Sequence, residues 1–342
     1  MSTENSAAPR CPVEHTRSPE QFNPFTPQFN RDPATAYRTA REEQPVFFSP
    51  VMNMWVVTRY DDLKTVMKDT AAFSSAGAFS SASVVSPEAL RVLGGLEHPV
   101  YQYSLVNTDP PIHTRFRTNF QRAFTPRQVA RLEPQIRELT HQLLHELREH
   151  KRADVITSFC DQLPLLTICR LMGVPDADAP AVKRWSTDYI RLQIPGWSAE
   201  EQRAIGQSVR DYYAYMLDAV RRYARNPAEN LISAAVEARQ AAEEPLSDAE
   251  IAGLTLNLVL AGHETTAALL ANTLHTLMSQ RALWDELRQR PERAAAAVDE
   301  FVRHGGPAFG LYRRTTRDVA LGDVTIPKDA TVFIAYFAGN ND

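Results

Sequence analysis

The chain has 342 residues, 44% of them hydrophobic and 23% charged, with 37 basic and 41 acidic side chains and a net charge of −4. That is globular composition, with enough apolar material for one large core or two smaller ones. It offers no basic stripe for nucleic acid, and no apolar run approaches the ~20 residues that span a bilayer.

Residues 1–21 are polar and rich in proline. They lack the apolar stretch of a secretory signal and read as a flexible arm ahead of a single domain over 22–342. A cytoplasmic location fits this reading. The cysteines are Cys11, Cys160 and Cys169. An odd number without Cys-x-x-Cys spacing argues against a disulfide framework or a zinc site. Cys160 and Cys169 read as small buried hydrophobes on one helix.

Pro33 suits the first turn of a helix running to about Glu43. Val46 to Val57, rich in Val, Phe and Trp, predicts a strand pair. Tyr60–Lys68 is a short helix. Phe73 to Thr108 holds Ser74, Ser75, Ser80, Ser81, Ser83 and Ser86 with Gly77, Gly94 and Gly95. It reads as one long loop, functional or disordered. Helical periodicity then predicts Ile112–Ala123, Pro126–His150, Ile156–Met172, Ala179–Leu192 and Glu200–Arg225, with Pro195-Gly196 separating the last two.

Ser247-Asp248-Ala249-Glu250 is a capping box. No proline follows before Ser279, so a helix of about 33 residues, roughly 50 Å long, is expected. Its middle, Leu254 to Ala261, is apolar on nearly every face, which predicts burial all round. Pro291 starts a further helix that ends near Gly305-Gly306-Pro307. Tyr312–Thr316, Val319–Leu321, Val324–Ile326 and Thr331–Phe337 are short β-rich runs. The fold class is mainly α with a small β region.

Four groups carry chemistry. In Ala261-Gly262-His263-Glu264-Thr265-Thr266, a glycine, an acid and two hydroxyls weaken the middle of the long helix. Gly262 would let a flat ligand approach the backbone, and Thr265 can bond to the carbonyl one turn back. A packing glycine beside a satisfied polar cluster explains the same residues. Glu300 and Arg303 face each other at i, i+3, as a surface pair or a structural brace. His113 and Arg117 share a helix face that suits a carboxylate or is simply a solvated basic face. Arg313, on a strand after the Glu300/Arg303 helix, could take a second carboxylate or be ordinary strand-end charge.

The order and spacing of these groups resemble the soluble bacterial cytochrome P450 family. The motifs are His-x-x-x-Arg, Ala-Gly-x-Glu-Thr-Thr on a long helix, Glu-x-x-Arg, and Arg-x-Thr-x-Arg-Asp-Val leading to Ile-Pro-Lys-Asp. The likeness runs from about Phe22 to Asp342 and includes Trp55 to Asp62, Phe73-Ser74-Ser75 and Ala123-Phe124-Thr125-Pro126. It implies a haem lying against the long helix, and insertion of one oxygen atom from O2 into an apolar small molecule. Electrons would come from a ferredoxin- or flavodoxin-type donor or a fused reductase. The resemblance places His113, Arg117 and Arg313 on the haem propionates and Ala261 and Gly262 over the porphyrin face. It makes Glu264 and Thr265 the catalytic acid–alcohol pair, Thr265 positioning oxygen and a water, Glu264 relaying protons from solvent. Glu300 and Arg303 would be structural. Substrate would be gripped by 74–108, the Pro195-Gly196-Trp197 break, the helix face near Val259, and Ala308–Leu311.

Departures from the family pattern carry their own expectations. His263 fills the variable position of the motif, where it would perturb Glu264. Asn341 stands where the family's Ala-Asn-Arg-Asp segment has Arg. Cys11-Pro12-Val13-Glu14-His15 resembles members fused to a reductase. The family's iron ligand is the Cys of a Phe-x-x-Gly-x-x-x-Cys-x-Gly loop beyond that segment, and none of the three cysteines lies in such a loop. The expectation is therefore a chain truncated before its axial thiolate, with no metal ligand of its own. Two readings follow: a monooxygenase scaffold belonging to a longer product, or a thiolate-deficient fragment that is inactive or only binds small molecules.

Overall fold

The computed structural model describes residues 22, 24, 26, 29, 33–78, 87–121, 124, 126–149, 152–193 and 196–342. The expectations for the arm over 1–21, including Cys11 to His15, for Ser80 to Ser86, and for Ala123, Thr125 and Pro195 lie outside the described residues.

Helix α1 (Pro33–Glu43) begins on the expected proline and buries Tyr37. The predicted pair forms as β1 (Val46–Ser49) and β2 (Met54–Val57), antiparallel with Val46 opposite Val57. Asn53 turns the chain with φ 53°. Helix α2 (Tyr60–Lys68) follows, with Asp61 and Asp62 in its first turn and Lys68 in its last, as the helix dipole favours. Next come β3 (Phe73–Ser74), α3 (Pro87–Leu93) and α4 (Pro99–Gln102), then a 3-10 turn at Leu105–Asn107.

The stretch from Phe73 to Thr108 is thus not one loop. Pro87 and Pro99 each open a helix, and both helices are too short to show an apolar period. Tertiary packing fixes them. Ala89, Leu93, Val100 and Tyr101 are buried, and an added Cβ at Gly206 would stand only 3.1 Å from the Ala89 carbonyl oxygen.

Helices α5 (Ile112–Gln121) and α6 (Pro126–Arg148) match their expected starts. The expected single helix Ile156–Met172 is instead a π turn, Ile156–Cys160, followed by α7 (Gln162–Met172). Gly173, at φ 78°, ends α7 in the left-handed conformation that glycine allows. Cys160 and Cys169 are both buried, on the π turn and on α7 respectively. Then follow α8 (Ala179–Arg191), α9 (Ala199–Arg225) with a Ser198/Glu201 capping box, and α10 (Leu231–Glu237), capped by Asn230.

The long helix α11 (Asp248–Ser279) has 32 residues and begins at the predicted Ser247/Glu250 capping box. After it come α12 (Arg281–Gln289), α13 (Ala294–Gly305), β4 (Leu311–Thr315), β5 (Val319–Leu321), β6 (Val324–Ile326), β7 (Thr331–Ile334) and α14 (Tyr336–Asn340). The last strand was expected to reach Phe337. It stops at Ile334, and α14 takes over, burying Ala338 and Gly339.

The chain forms two compact units: one of residues 1–72, 309–311 and 315–342, the other of 73–308 and 312–314. In the first, β2 pairs in parallel with β7, Val56 beside Phe333, and β5 pairs with β6. Phe22, Phe29, Tyr37 and Phe47 pack edge to face there, with ring centroids 4.9 to 5.4 Å apart. In the second unit α11 packs against α4, α7, α9, α10, α12 and α13. Ile251 to Leu256 are all buried. Burial all round does not extend further: Ala261, Thr265 and Thr266 are exposed. Apolar content marked the buried half, but small and hydroxyl side chains leave one face of the second half open.

Arg115 on α5 fixes the start of α11. Its guanidinium bonds Glu250 at 2.6 and 3.0 Å and the Pro245 carbonyl at 2.8 Å. Glu250 also accepts from the Ser247 amide at 2.7 Å, so one carboxylate serves both the cap and the ion pair. Arg115→Ala is expected to lower unfolding stability by about 1–2 kcal/mol, read from a denaturant midpoint. An unchanged midpoint would show that the cap stands without the arginine.

Candidate functional site

Every residue singled out from sequence lies in the second unit. Along α11 the neighbours change turn by turn. At Gly253 a Cβ would come within 2.7 Å of the Tyr103 Cβ, so the glycine admits the end of α4 against the helix backbone. One turn on, Asn257 donates from Nδ2 to the Gly253 and Tyr103 carbonyls at 2.9 and 3.3 Å.

At Gly262 a Cβ would meet Ile168 of α7 at 3.1 Å. The close approach here is therefore between helices. Thr265 donates to the Ala261 carbonyl at 2.8 Å, and Thr266 to the Gly262 carbonyl at 3.1 Å. Both hydroxyls thus bond one turn back, as the sequence suggested for Thr265.

Glu264 is the electrostatic centre. Lys183 of α8 donates to its Oε1 at 3.0 Å, and Lys183 also stands 3.8 Å from Asp161. His263, fully buried, places Nδ1 2.8 Å from the Val259 carbonyl. A carbonyl only accepts, so Nδ1 carries a hydrogen. Its Nε2 lies 3.2 Å from Glu264 Oε1. The His263 ring first, and then the Lys183 ammonium, hold the Glu264 carboxyl at about 2 against the upward pull of burial. Glu264 is therefore a carboxylate with fixed partners, and His263 does perturb it. Lys183 and Asp161 escaped the sequence reading, because nothing local marks a lysine 81 positions from its acid.

His113 and Arg117 are on α5, four residues apart and so on one face. Neither side chain has a hydrogen bond or ion pair among the described residues. Arg313 donates from Nη1 to the Tyr312 carbonyl at 2.8 Å, while its buried Nε has no partner among the described residues. The structure shows no bond joining Arg313 to His113 or Arg117. Glu300 and Arg303 form the expected pair at 2.6 Å, both partly exposed.

No group of three or more His, Cys, Asp or Glu among the described residues could hold a metal ion, and none of their helices is long and apolar enough to cross a membrane. The donor set fits a flat dianionic cofactor. An open helix face with small side chains at Ala261 and Thr265 is accompanied by cationic groups without acids, one with an orphaned buried N–H. Buried donors of this kind call for an acceptor.

Comparison with known proteins agrees. Residues 183–342 match the family model described as Cytochrome P450. Mycinamicin IV hydroxylase/epoxidase of Micromonospora griseorubida is 33% identical over 84% of this chain and 69% of its own length. Cytochrome P450 107B1 of Saccharopolyspora erythraea is 30% identical over 93% of this chain and 77% of its own. Among solved structures, cytochrome P450 CREJ in complex with (4-ethylphenyl) dihydrogen phosphate superposes with a TM-score of 0.87 at 31% identity, covering 95% of this chain and 80% of that one.

Proposed function

This chain belongs to the cytochrome P450 family, and from that membership we propose that the exposed face of α11 is the oxygen-side wall of its haem pocket, with Glu264 and Thr265 as the catalytic pair. The family's enzymes are haem-dependent monooxygenases. When bound, haem supplies the iron at which O2 is reduced and one oxygen atom is passed to substrate. The remaining roles belong to side chains of this chain.

His113, Arg117 and Arg313 would hold the two propionates. Support comes from their lack of acidic partners and from the orphaned Arg313 Nε. Ala261 and Gly262 would lie along the porphyrin face, Ala261 by its small exposed side chain and Gly262 by letting α11 seat against Ile168. Glu300 and Arg303 brace α13. Thr265 keeps its hydroxyl on the open face while bonded to the Ala261 carbonyl, so it can accept a hydrogen bond and hold a water. Glu264, ionised and tied to Lys183, takes up a proton only as that ion pair loosens. The proton then moves over Glu264 Oε1 toward the Thr265 hydroxyl. The substrate is an apolar small molecule, and the electron donor is a ferredoxin- or flavodoxin-type protein or a fused reductase. A cytoplasmic location goes with that donor.

The observation that carries this reading is the ionised Glu264 immediately beside an exposed Thr265 on the open face of a buried helix. Positioned proton transfer contributes about 10²–10⁴-fold to rate. In the haem-loaded enzyme, Thr265→Ala is expected to divert most reducing equivalents to hydrogen peroxide, measured as product formed per NAD(P)H consumed. Unchanged coupling would remove Thr265 from the mechanism.

A further inference from the structure

Three polar side chains from three helices meet one turn before Ala261, and their hydrogen bonds do not balance. Tyr101 of α4 is only 7% exposed, and its hydroxyl has no partner among the described residues. Tyr189 of α8 is 5% exposed and donates to Asn257 Oδ1 over a long 3.4 Å. The Asn257 amide group is already engaged with the Gly253 and Tyr103 carbonyls, which turns its oxygen toward Tyr189. Burial, and then the neighbouring Tyr189 phenol, push the Tyr101 phenol upward, so it stays a donor at any physiological pH. Around them the core is apolar, with Val100, Leu192 and Val259 all buried. A buried donor left without an acceptor is costly, and native interiors rarely keep one unless something else accepts.

We propose that Tyr101, with Tyr189 and Asn257, anchors an oxygen acceptor carried by an otherwise apolar substrate. The Tyr101 hydroxyl donates to that oxygen, a ketone or ether, and Tyr189 and Asn257 hold the polar end in place. Asn257, Ala261 and Thr265 are spaced by four residues and share one face of α11. The rise of the helix puts Thr265 roughly 12 Å along the axis from Asn257. The substrate is thus an apolar frame whose oxygen lies on the order of 10 Å from the carbon that is oxidised. This rests on the reading of the Ala261–Thr265 face as the place of oxidation.

Equilibrium dialysis of the full chain with 4-phenylcyclohexanone and with phenylcyclohexane tests it, since the probes differ only in the carbonyl. The ketone should bind at least about tenfold tighter, the ratio worth one neutral hydrogen bond. Tyr101→Phe should reduce that preference to less than threefold without lowering the melting temperature, because the lost hydroxyl has no protein partner. Should Tyr101→Phe fold poorly, Tyr189→Phe is expected to weaken the same preference. Ala261→Trp should block both probes. Equal affinities that Ala261→Trp still abolishes would overturn the anchor and leave the reading of the face intact. A ketone preference that Tyr101→Phe does not change, or no ketone binding at all, also overturns the anchor. Binding that Ala261→Trp does not affect would overturn the reading of the face as well.

Discussion

Glu264→Ala is expected to destabilise the protein by about 2 kcal/mol at neutral pH, and by much less near pH 3. Breaking a fully buried ion pair costs more, but the Glu264 and Lys183 side chains are 28% and 29% exposed, so solvent screens part of the loss. The variant leaves Lys183 with only Asp161, at 3.8 Å, and leaves His263 Nε2 facing nothing. The pH dependence follows from the depressed carboxyl. Its proton affinity in the folded chain, about 2, lies below the ordinary 4.5. The stability it contributes is therefore complete above pH 4.5 and disappears as pH falls through about 2. Melting curves of both proteins at pH 7 and pH 3 would separate the causes. A deficit of equal size at both values would assign the effect to lost packing.

Gly253→Val should be worse, about 3 kcal/mol or more. The new Cβ would sit 2.7 Å from the Tyr103 Cβ and 3.2 Å from the Pro99 carbonyl oxygen. Both neighbours belong to α4 and the residue after it, and a backbone carbonyl cannot swing aside as a flexible side chain can. Ile251 to Leu256 are also buried, so α11 has no room to retreat. Chemical denaturation measures the loss directly. An unchanged midpoint would mean that α4 is not seated against α11 as described.

Features set by neighbours in sequence could be read before the fold was known. The Ser247/Glu250 capping box, the start of α1 at Pro33, the β1–β2 pair and the Glu300/Arg303 bridge all depend on residues within a few positions of one another. Thr265 bonding to Ala261 was legible for the same reason. What escaped notice is set by contacts distant in sequence. Lys183 reaches Glu264 across 81 positions, and Arg115 reaches Glu250 across 135. Helices α3 and α4 have seven and four residues. Short helices owe their stability to packing more than to propensity, so their proline and serine content read as loop. Gly262 was anticipated as room for a ligand, while the structure shows Ile168 in that space. The exposed face at Ala261, Thr265 and Thr266 was hidden by an apolar average over the whole helix.

The central claim is that the open face of α11, with His113, Arg117 and Arg313, holds haem. It is tested most directly by titrating the chain with haemin and following quenching of its tryptophan fluorescence. Arg313→Met removes a charge-assisted donor worth at least about a tenfold change in affinity, and Ala261→Trp fills the face itself. The account predicts that haemin binds the native chain, about tenfold or more weakly after Arg313→Met, and negligibly after Ala261→Trp. Haemin binding left unchanged by both substitutions would contradict it.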